Sequence, residues 1–496
     1  MTDTSNAPDR DAPNRAEHPW AAVIVVMLGT FMVVLDTTIV NVALPQIADD
    51  FNAPRGVEWV VTGYLLALGV AQAATGWIGA RFGDRKAFLG SLSLFAASSA
   101  VAAAAPNLWA LIVARTIQGI CGGIAMPLSA SLLFAMFPPR NRGRVIGISG
   151  TVIMVAPGLG PVLSGYVVDN FSWRWLLLLN VPVGVAGVLF GLRLIPEVSR
   201  RRPRPFDLRG LVLMAGGLIG LLVAISQASE WGFSSVRFIG LAAIAVALIW
   251  LYTWHSRRVE HPLIDPVIFT EPVFRTTILI TWALASAQFA RMVFVPLELQ
   301  VVRGMSAFEA GAILAVAAVG SAIIMPFAGW LTDRTGGRLP VAAGGIILAV
   351  AMLRLGTLEL ETATWQVIAA VGATGVGIVL VTMTSTVTGL NWVSHRFGND
   401  VVGEASAVRN LHRQIAGSIA TAGLAVVVTG SGGSLARVEA SAAELAQGQN
   451  AYNRVFLVAL VGVLVATALS RRLPAAPPPD PDDGAEAVIP AESRMT

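Results

Sequence analysis

Lysine is almost absent from this chain of 496 residues: Lys86 stands alone among 34 basic side chains, and the rest are arginine. A Walker A nucleotide loop needs a lysine after a glycine, and Lys86 follows Arg85, so ATP is not the expected energy source. Cysteine is equally scarce. Cys121 has no second thiol to pair with, and five scattered histidines show no metal-ligand spacing, so neither a disulfide nor a metal site is expected. Charge of either sign is short as well, at 13% of positions where soluble proteins carry about 25%. A net charge of +4 leaves no nucleic-acid footprint.

What the chain has instead is apolar length. Hydrophobic residues fill 55% of positions and the mean hydropathy is +0.69. Runs of about 20 apolar residues, each enough to cross a hydrocarbon core of roughly 30 Å as a helix, lie near 21–46, 58–79, 87–105, 108–136, 145–168, 175–195, 210–228, 238–254, 277–300, 310–331, 340–357, 366–393, 404–428 and 453–470. Backbone groups in lipid must be satisfied within their own segment, so an all-α integral membrane fold of about fourteen helices is expected. The residues up to His18 are polar with no short apolar core before a cleavage site, so no signal peptide is read there. The tail from Pro474 is rich in proline, alanine and acid and reads as disordered.

Arginine placement sets the expected direction. Arg81/Arg85/Lys86, Arg140/Arg142/Arg144, Arg200/Arg201/Arg202/Arg204, Arg257/Arg258, Arg334/Arg338 and Arg471/Arg472 fall on alternate connections, while Arg55, Arg174, Arg237 and Arg303 are isolated on the others. The clustered side is expected to be cytoplasmic, with both termini there. Within 404–428 the purely apolar part, Ile415 to Val428, would span only about 21 Å. Arg409, His412, Arg413 and Gln414 are therefore expected inside the membrane region, facing protein or water, unless that helix end frays.

One acid breaks the first apolar run: Asp36, within Leu35-Asp36-Thr37-Thr38-Ile39-Val40-Asn41-Val42-Ala43-Leu44-Pro45. An ionised carboxylate near hydrocarbon costs several kcal/mol or more, so it holds a proton, faces a cavity or finds a positive partner. A group that exchanges a proton inside a membrane can couple the proton gradient to other work. At 1.5 Å per residue Asp36 lies about 22 Å from the expected inner face, and Arg115 on the oppositely running fourth helix lies about 10 Å from the outer one. The two share a level and can pair, which favours the charged carboxylate; separating them favours proton uptake.

Arg291, on the ninth helix, reaches about 21 Å from the inside. Glu298 follows seven residues later on the same face by helical spacing. The two either line the outer half of a cavity or pair to close its mouth. Candidate cavity residues are Asn41, Gln118, Gln288, Arg291, Glu298 and Arg413. Thr382, Thr384, Ser385, Thr386 and Thr388 line the cavity or bond to their own helix carbonyls, the latter being expected.

Two connections repeat. Gly76-Trp77-Ile78-Gly79-Ala80-Arg81-Phe82-Gly83-Asp84-Arg85 and Gly329-Trp330-Leu331-Thr332-Asp333-Arg334-Thr335-Gly336-Gly337-Arg338 each follow the second helix of a six-helix set. The expected organisation is an arm over 1–18, a first bundle over 19–196, a linker with two extra helices over 197–276, a second bundle over 277–472 and a tail over 473–496. Repeats of this kind place a transport site between two halves that rock.

With these motifs on the page, the chain resembles the major facilitator superfamily, and within it the fourteen-helix drug:proton antiporter branch (the EmrB/QacA type). Leu35–Pro45 resembles the first-helix motif of that branch, Gly76–Lys86 the superfamily's loop motif, and Arg115-Thr116-Ile117-Gln118-Gly119 with Gly122, Gly123 and Pro127 the fourth-helix motif. Pro157-Gly158-Leu159-Gly160-Pro161-Val162-Leu163-Ser164-Gly165 resembles the antiporter motif, continued by Trp173-Arg174-Trp175 and Asn180-Val181-Pro182. The resemblance implies two pseudo-symmetric six-helix bundles plus two inserted helices in the cell's inner membrane. It also implies alternating access, with proton-coupled efflux of apolar or cationic molecules, or of an endogenous metabolite, siderophore or lipid.

In that frame Asp36 and Arg115 carry the proton coupling. Pro157, Gly158, Gly160, Pro161 and Gly165 form a hinge or seal against the opposite half, unless they serve only small-residue packing. Gly76, Gly83, Asp84, Arg85, Asp333, Arg334, Gly336 and Arg338 form a cytoplasmic gate. Ala80 departs from the family, which has an aspartate there, so Asp84 or the second copy with Asp333 is expected to take over the latch. No cofactor beyond the proton gradient is expected. The expected partners are a small-molecule substrate, protons and the bilayer, with the chain working as a monomer. No nucleophile–base constellation supports an enzyme.

Overall fold

The computed structural model describes residues 19–53, 56–197, 205–227, 231–232, 235–431 and 442–479. Among them thirteen helices are long and apolar enough to cross a membrane. With the 32-residue helix Pro139–Asn170 they account for all fourteen apolar runs, and no strand occurs among the described residues.

In chain order the helices are α1 Pro19–Asp50, α2 Trp59–Phe82, α3 Asp84–Ala103, α4 Leu108–Met136, α5 Pro139–Asn170 and α6 Arg174–Leu194. Then come α7 Leu208–Ser226, α8 Val236–Ser256, α9 Pro272–Val302 and α10 Ala307–Thr335. The last four are α11 Arg338–Leu355, α12 Thr364–Phe397, α13 Val402–Gly430 and α14 Ala442–Leu469. The expected arm over 1–18, Arg55 and the Arg200–Arg204 cluster lie outside the described residues.

The packing repeats. In the first half α4 packs on α2 and α3, α1 on α5, and α6 on α1 and α3. In the second, α12 packs on α10 and α11, α9 on α13, and α14 on α9 and α11. Moving each helix label on by eight converts one set into the other. The inserted pair, α7 and α8, pack together, and α7 lies against both α2 and α13. The two repeated loops share a backbone device: Gly83 and Gly336 end α2 and α10 at φ of 84° and 66°. That left-handed region suits a residue without Cβ.

The halves meet along α5–α10 and α2–α13. Close approach on the first pair comes from glycines on α5. A Cβ on Gly143 would collide with Asp333 and the Gly329 carbonyl, and one on Gly147 would stand 2.7 Å from the Met325 carbonyl oxygen. Small residues spaced by a helical turn let backbones touch in this way.

Both ends of the bundle lie on this side of the molecule. Trp20 stacks edge-on against Phe137 just before α5, and the Pro474 carbonyl accepts from the backbone N–H groups of Gly337 and Arg338. Residues 473–479, expected within a disordered tail, instead lie against the start of α11, with Leu473 buried. The remainder of that tail is outside the described residues.

Candidate functional site

Asp36 sits in the middle of α1 with no exposed surface, and Arg115 on α4 is 1% exposed. Arg115 Nη1 donates to Asp36 Oδ2 at 2.5 Å and to Gln118 Oε1 at 3.1 Å, while Nε points at the Val60 carbonyl, 3.4 Å away. The other carboxylate oxygen is also taken. Asn180 Nδ2 donates to Asp36 Oδ1 at 2.7 Å and to Ser99 Oγ at 3.1 Å, and Ser99 donates to the Leu177 carbonyl. The Arg115 guanidinium lies 4.2 Å from the ring centre of Tyr64, whose hydroxyl donates to the Val33 carbonyl.

Five helices, α1, α2, α3, α4 and α6, thus converge on one carboxylate. The site lies inside the first half, closed from solvent, beside an almost wholly apolar void of about 10 Å³ between Arg115 and Trp173. That void is at the threshold for one water molecule. A buried ion pair is tolerated only when its remaining lone pairs and protons are satisfied. Asn180, Ser99 and Gln118 do that here.

The candidate cavity residues scatter. Gln118 is fully buried against Arg115 and lines no open wall. Asn41 is exposed and donates to the Thr37 carbonyl of its own helix. Gln288 and Arg291 are half-buried. Arg413 is exposed and lies one helical turn from buried Arg409 on the same helix. Arg409 is buried, His412 rests between Phe269 and Trp282, and Gln414 reaches Gly69 of α2. The helix carrying them starts at Val402, so these side chains do not belong to a frayed end.

Glu298 does not pair with Arg291. Its Oε1 accepts from Arg303 Nε at 2.8 Å, and Arg303 also donates to the carbonyls of Thr362 and Glu359 at the α11–α12 connection. The reason lies in the backbone: α9 carries π-helical turns at Ala290–Phe294 and Glu298–Val302. A π turn bonds i to i+5, which breaks the 3.6-residue spacing and brings Glu298 onto the face of Arg303. In the threonine run, Thr382, Ser385 and Thr386 donate to carbonyls of their own helix, whereas Thr384 bonds Thr332 of α10.

The residues expected at the cytoplasmic gate are placed as follows. Asp333 crosses between halves, accepting at 2.8 Å from each of the backbone N–H groups of Gly143 and Arg144 in α5. Gly76 stands where a Cβ would come 3.1 Å from Glu404 Cβ on α13. Asp84 accepts from Ser131 of its own half. Arg85 donates to the Leu192 carbonyl and faces Glu197 at 3.8 Å, tying α3 to α6 within that half. Arg334 lies over Trp330 of its own helix, and Gly83, Gly336 and Arg338 serve the loop backbone.

Sequence reasoning missed the strongest cross-half donor. Arg142 donates to Asn391 and Ser394 of α12 and to Asn399, at 3.4, 3.1 and 2.9 Å. Ala80 lines a cavity of about 280 Å³ with Asp207, Asp400 and Glu404. Three carboxylates border that space.

Two residues of the expected antiporter motif have described contacts with α1. A Cβ on Gly160 would overlap Thr38 of α1, and Ser164 donates to the Ile39 carbonyl. This part of α5 therefore packs on the helix that carries Asp36, within its own half. Gly165 has no atom within 4 Å of a Cβ position. Side chains at Pro157, Gly158 and Pro161 lie outside the described set.

The sequence model of the Major Facilitator Superfamily matches residues 26–421. Similar proteins include the Tetracenomycin C resistance and export protein of Streptomyces glaucescens, 31% identical over 83% of this chain and 76% of that protein. The Multidrug resistance protein B homolog of Mycobacterium tuberculosis is 31% identical over 82% and 75%, and Lincomycin resistance protein LmrB of Listeria monocytogenes 28% over 84% and 87%. Among solved structures, the proton:xylose symporter XylE aligns at a TM-score of 0.60 with 16% identity, covering 89% of this chain and 94% of that one. The human organic anion transporter MFSD10 aligns at 0.59 with 17% identity, covering 90% and 99%. Repeated bundles, shared motifs and a match over most of the length lead to one conclusion: this chain is a multi-pass membrane transporter belonging to the major facilitator superfamily.

Proposed function

We propose that the chain exports small molecules in exchange for protons by alternating access, with Asp36 as the proton carrier and Arg115 as the group that sets its charge. The observation that carries this reading is the enclosed Asp36–Arg115 pair at 2.5 Å, with the second carboxylate oxygen held by Asn180. In this state the carboxylate is paired and buried away from solvent. Rocking of the halves strains α1 against α5 through Gly160 and Thr38, and separating Asp36 from Arg115 favours protonation. Reforming the pair expels the proton.

The halves are latched at the end bearing Trp20 and Pro474, where Asp333 of α10 bonds to α5 and Arg142 of α5 bonds to α12. Arginines cluster on that side, which supports placing it in the cytoplasm. The bundle boundaries given above, insertion in the inner membrane and action as a monomer belong to the same reading. Tetracenomycin C and lincomycin, the compounds in the names of two relatives, are the first cargoes to try.

The test uses wild-type protein in liposomes loaded with either compound and diluted into cargo-free buffer. Exit of cargo is expected to acidify the lumen, reported by a trapped pH dye, and a protonophore is expected to abolish the signal. Cargo loss without acidification would contradict exchange.

A further inference from the structure

Among the described residues, three guanidiniums of the second half make no ion pair. Arg409 is buried, its Nη2 donates only to the Thr382 carbonyl at 3.2 Å and Ser385 Oγ at 3.3 Å, and its Nε has no acceptor. Arg413 follows on the same face of α13, one helical turn further on. Among the described residues it makes no hydrogen bond or ion pair, and it is exposed. Arg291 sits in a π turn of the neighbouring α9, half-buried, with its Nε enclosed and unpartnered.

The relative heights follow from two contacts. Trp282 of α9 meets His412 at 6.3 Å between ring centres, and the Phe289 ring fills the space beside Gly417. That register sets Arg291 about 10 Å beyond Arg413 along the helices. The three charges form a column running from one end of the bundle toward the other.

Among the described residues no ion pair joins an acid to any of the three. The two mid-membrane carboxylates are occupied, Asp36 by Arg115 and Glu298 by Arg303. Arginine does not shed its proton to escape burial, and an unpaired charge in a low-dielectric interior costs several kcal/mol. Arg409 is the buried member of the three, and a negative group held between it, Arg413 and Arg291 would offset that cost.

We propose that the cargo is an organic anion whose carboxylate or similar acid group is gripped by Arg413, with Arg409 behind it and Arg291 on the exit side. Trp282, 39% exposed beside His412, offers an apolar face for the body of the molecule. The proposal rests on the export reading and narrows it. It also departs from the cationic cargo that the family resemblance suggests.

The experiment is equilibrium binding to the full chain in nanodiscs, without any gradient. The probes are tritiated 2-naphthoate, its neutral methyl ester and the cation 2-naphthylmethylammonium, which share one apolar body. Naphthoate is expected to bind about tenfold or more tightly than either of the others, as a charge-assisted bidentate contact implies. Arg413→Gln is expected to weaken naphthoate binding about tenfold while leaving the ester within about twofold, which also shows that the variant is folded. Arg291→Gln is expected to act in the same direction.

Tighter binding of the ammonium probe, no specific naphthoate binding, or unchanged naphthoate affinity in Arg413→Gln overturns the proposal. Binding needs no proton coupling. Selective naphthoate binding together with failed acidification in the liposome test would therefore sink the exchange reading and leave the anion site standing.

Discussion

Asn180 holds Asp36 from the side opposite Arg115, at 2.7 Å from Oδ1, so that neither carboxylate oxygen is free. Asn180 begins the second segment of α6, immediately after the break at Leu179. The break turns its side chain inward, and the carboxylate is clamped between two helices of its own half. Charge, hydrogen bonding and helix position are therefore tied to one another at this point.

Removing one member of the clamp leaves a buried group unsatisfied. Asn180→Leu is expected to lower stability by about 1–3 kcal/mol, the cost of a stranded acceptor. Arg115→Ala is expected to cost about 3–5 kcal/mol, because it leaves a lone buried charge. The double variant Asp36→Leu/Arg115→Met is expected to recover most of that loss. Thermal melting of detergent-solubilised protein checks all three, and additive losses in the double variant would refute the pairing.

Glycines on α5 are expected to differ sharply in tolerance. Gly143→Ala pushes a methyl group into Asp333 and the Gly329 carbonyl, so the closed end is expected to open and transport to fall about tenfold or more, as overpacking costs of about 1–3 kcal/mol imply. Gly165→Ala meets no atom within 4 Å and is expected to stay within about 0.5 kcal/mol of wild type. Flux assays and melting curves on the two variants decide it. Equal sensitivity would show that the two sites are not distinguished by packing.

A double-mutant cycle separates the partners of Glu298. Glu298→Gln with Arg303→Gln is expected to show a coupling of about 0.5–3 kcal/mol, as for residues in one buried pair. Glu298→Gln with Arg291→Gln is expected to be additive within about 0.5 kcal/mol. Stability measurements in detergent supply both values.

Much of this architecture is visible in the residues. Apolar runs give the helices because lipid leaves the backbone no other partner. The height of Asp36 and Arg115 follows from the constant rise of a helix, so their meeting was readable from position alone. The same arithmetic misled at Glu298, since it assumes an unbroken 3.6-residue period and α9 has two π turns.

Arg142 was read only as a topology signal, because its acceptors Asn391 and Asn399 lie some 250 residues away and no local pattern links them. Gly143 and Gly147 were overlooked beside the more conspicuous Pro157–Gly165 motif. The motif's visible contacts turn toward α1 and not toward the opposite half. Ala80 departs from the loop motif, and the acids that share its cavity, Asp207, Asp400 and Glu404, come from distant parts of the chain that no local pattern links.

The central claim is that the Asp36 carboxyl carries the coupled proton, and one comparison tests it most directly. Wild-type and Asp36→Asn proteins are reconstituted side by side, and the same labelled tetracenomycin C is followed in two regimes, accumulation driven by an imposed pH gradient and gradient-free counterflow. The account predicts that the variant loses gradient-driven accumulation while retaining counterflow. Accumulation at the wild-type level in Asp36→Asn would contradict it.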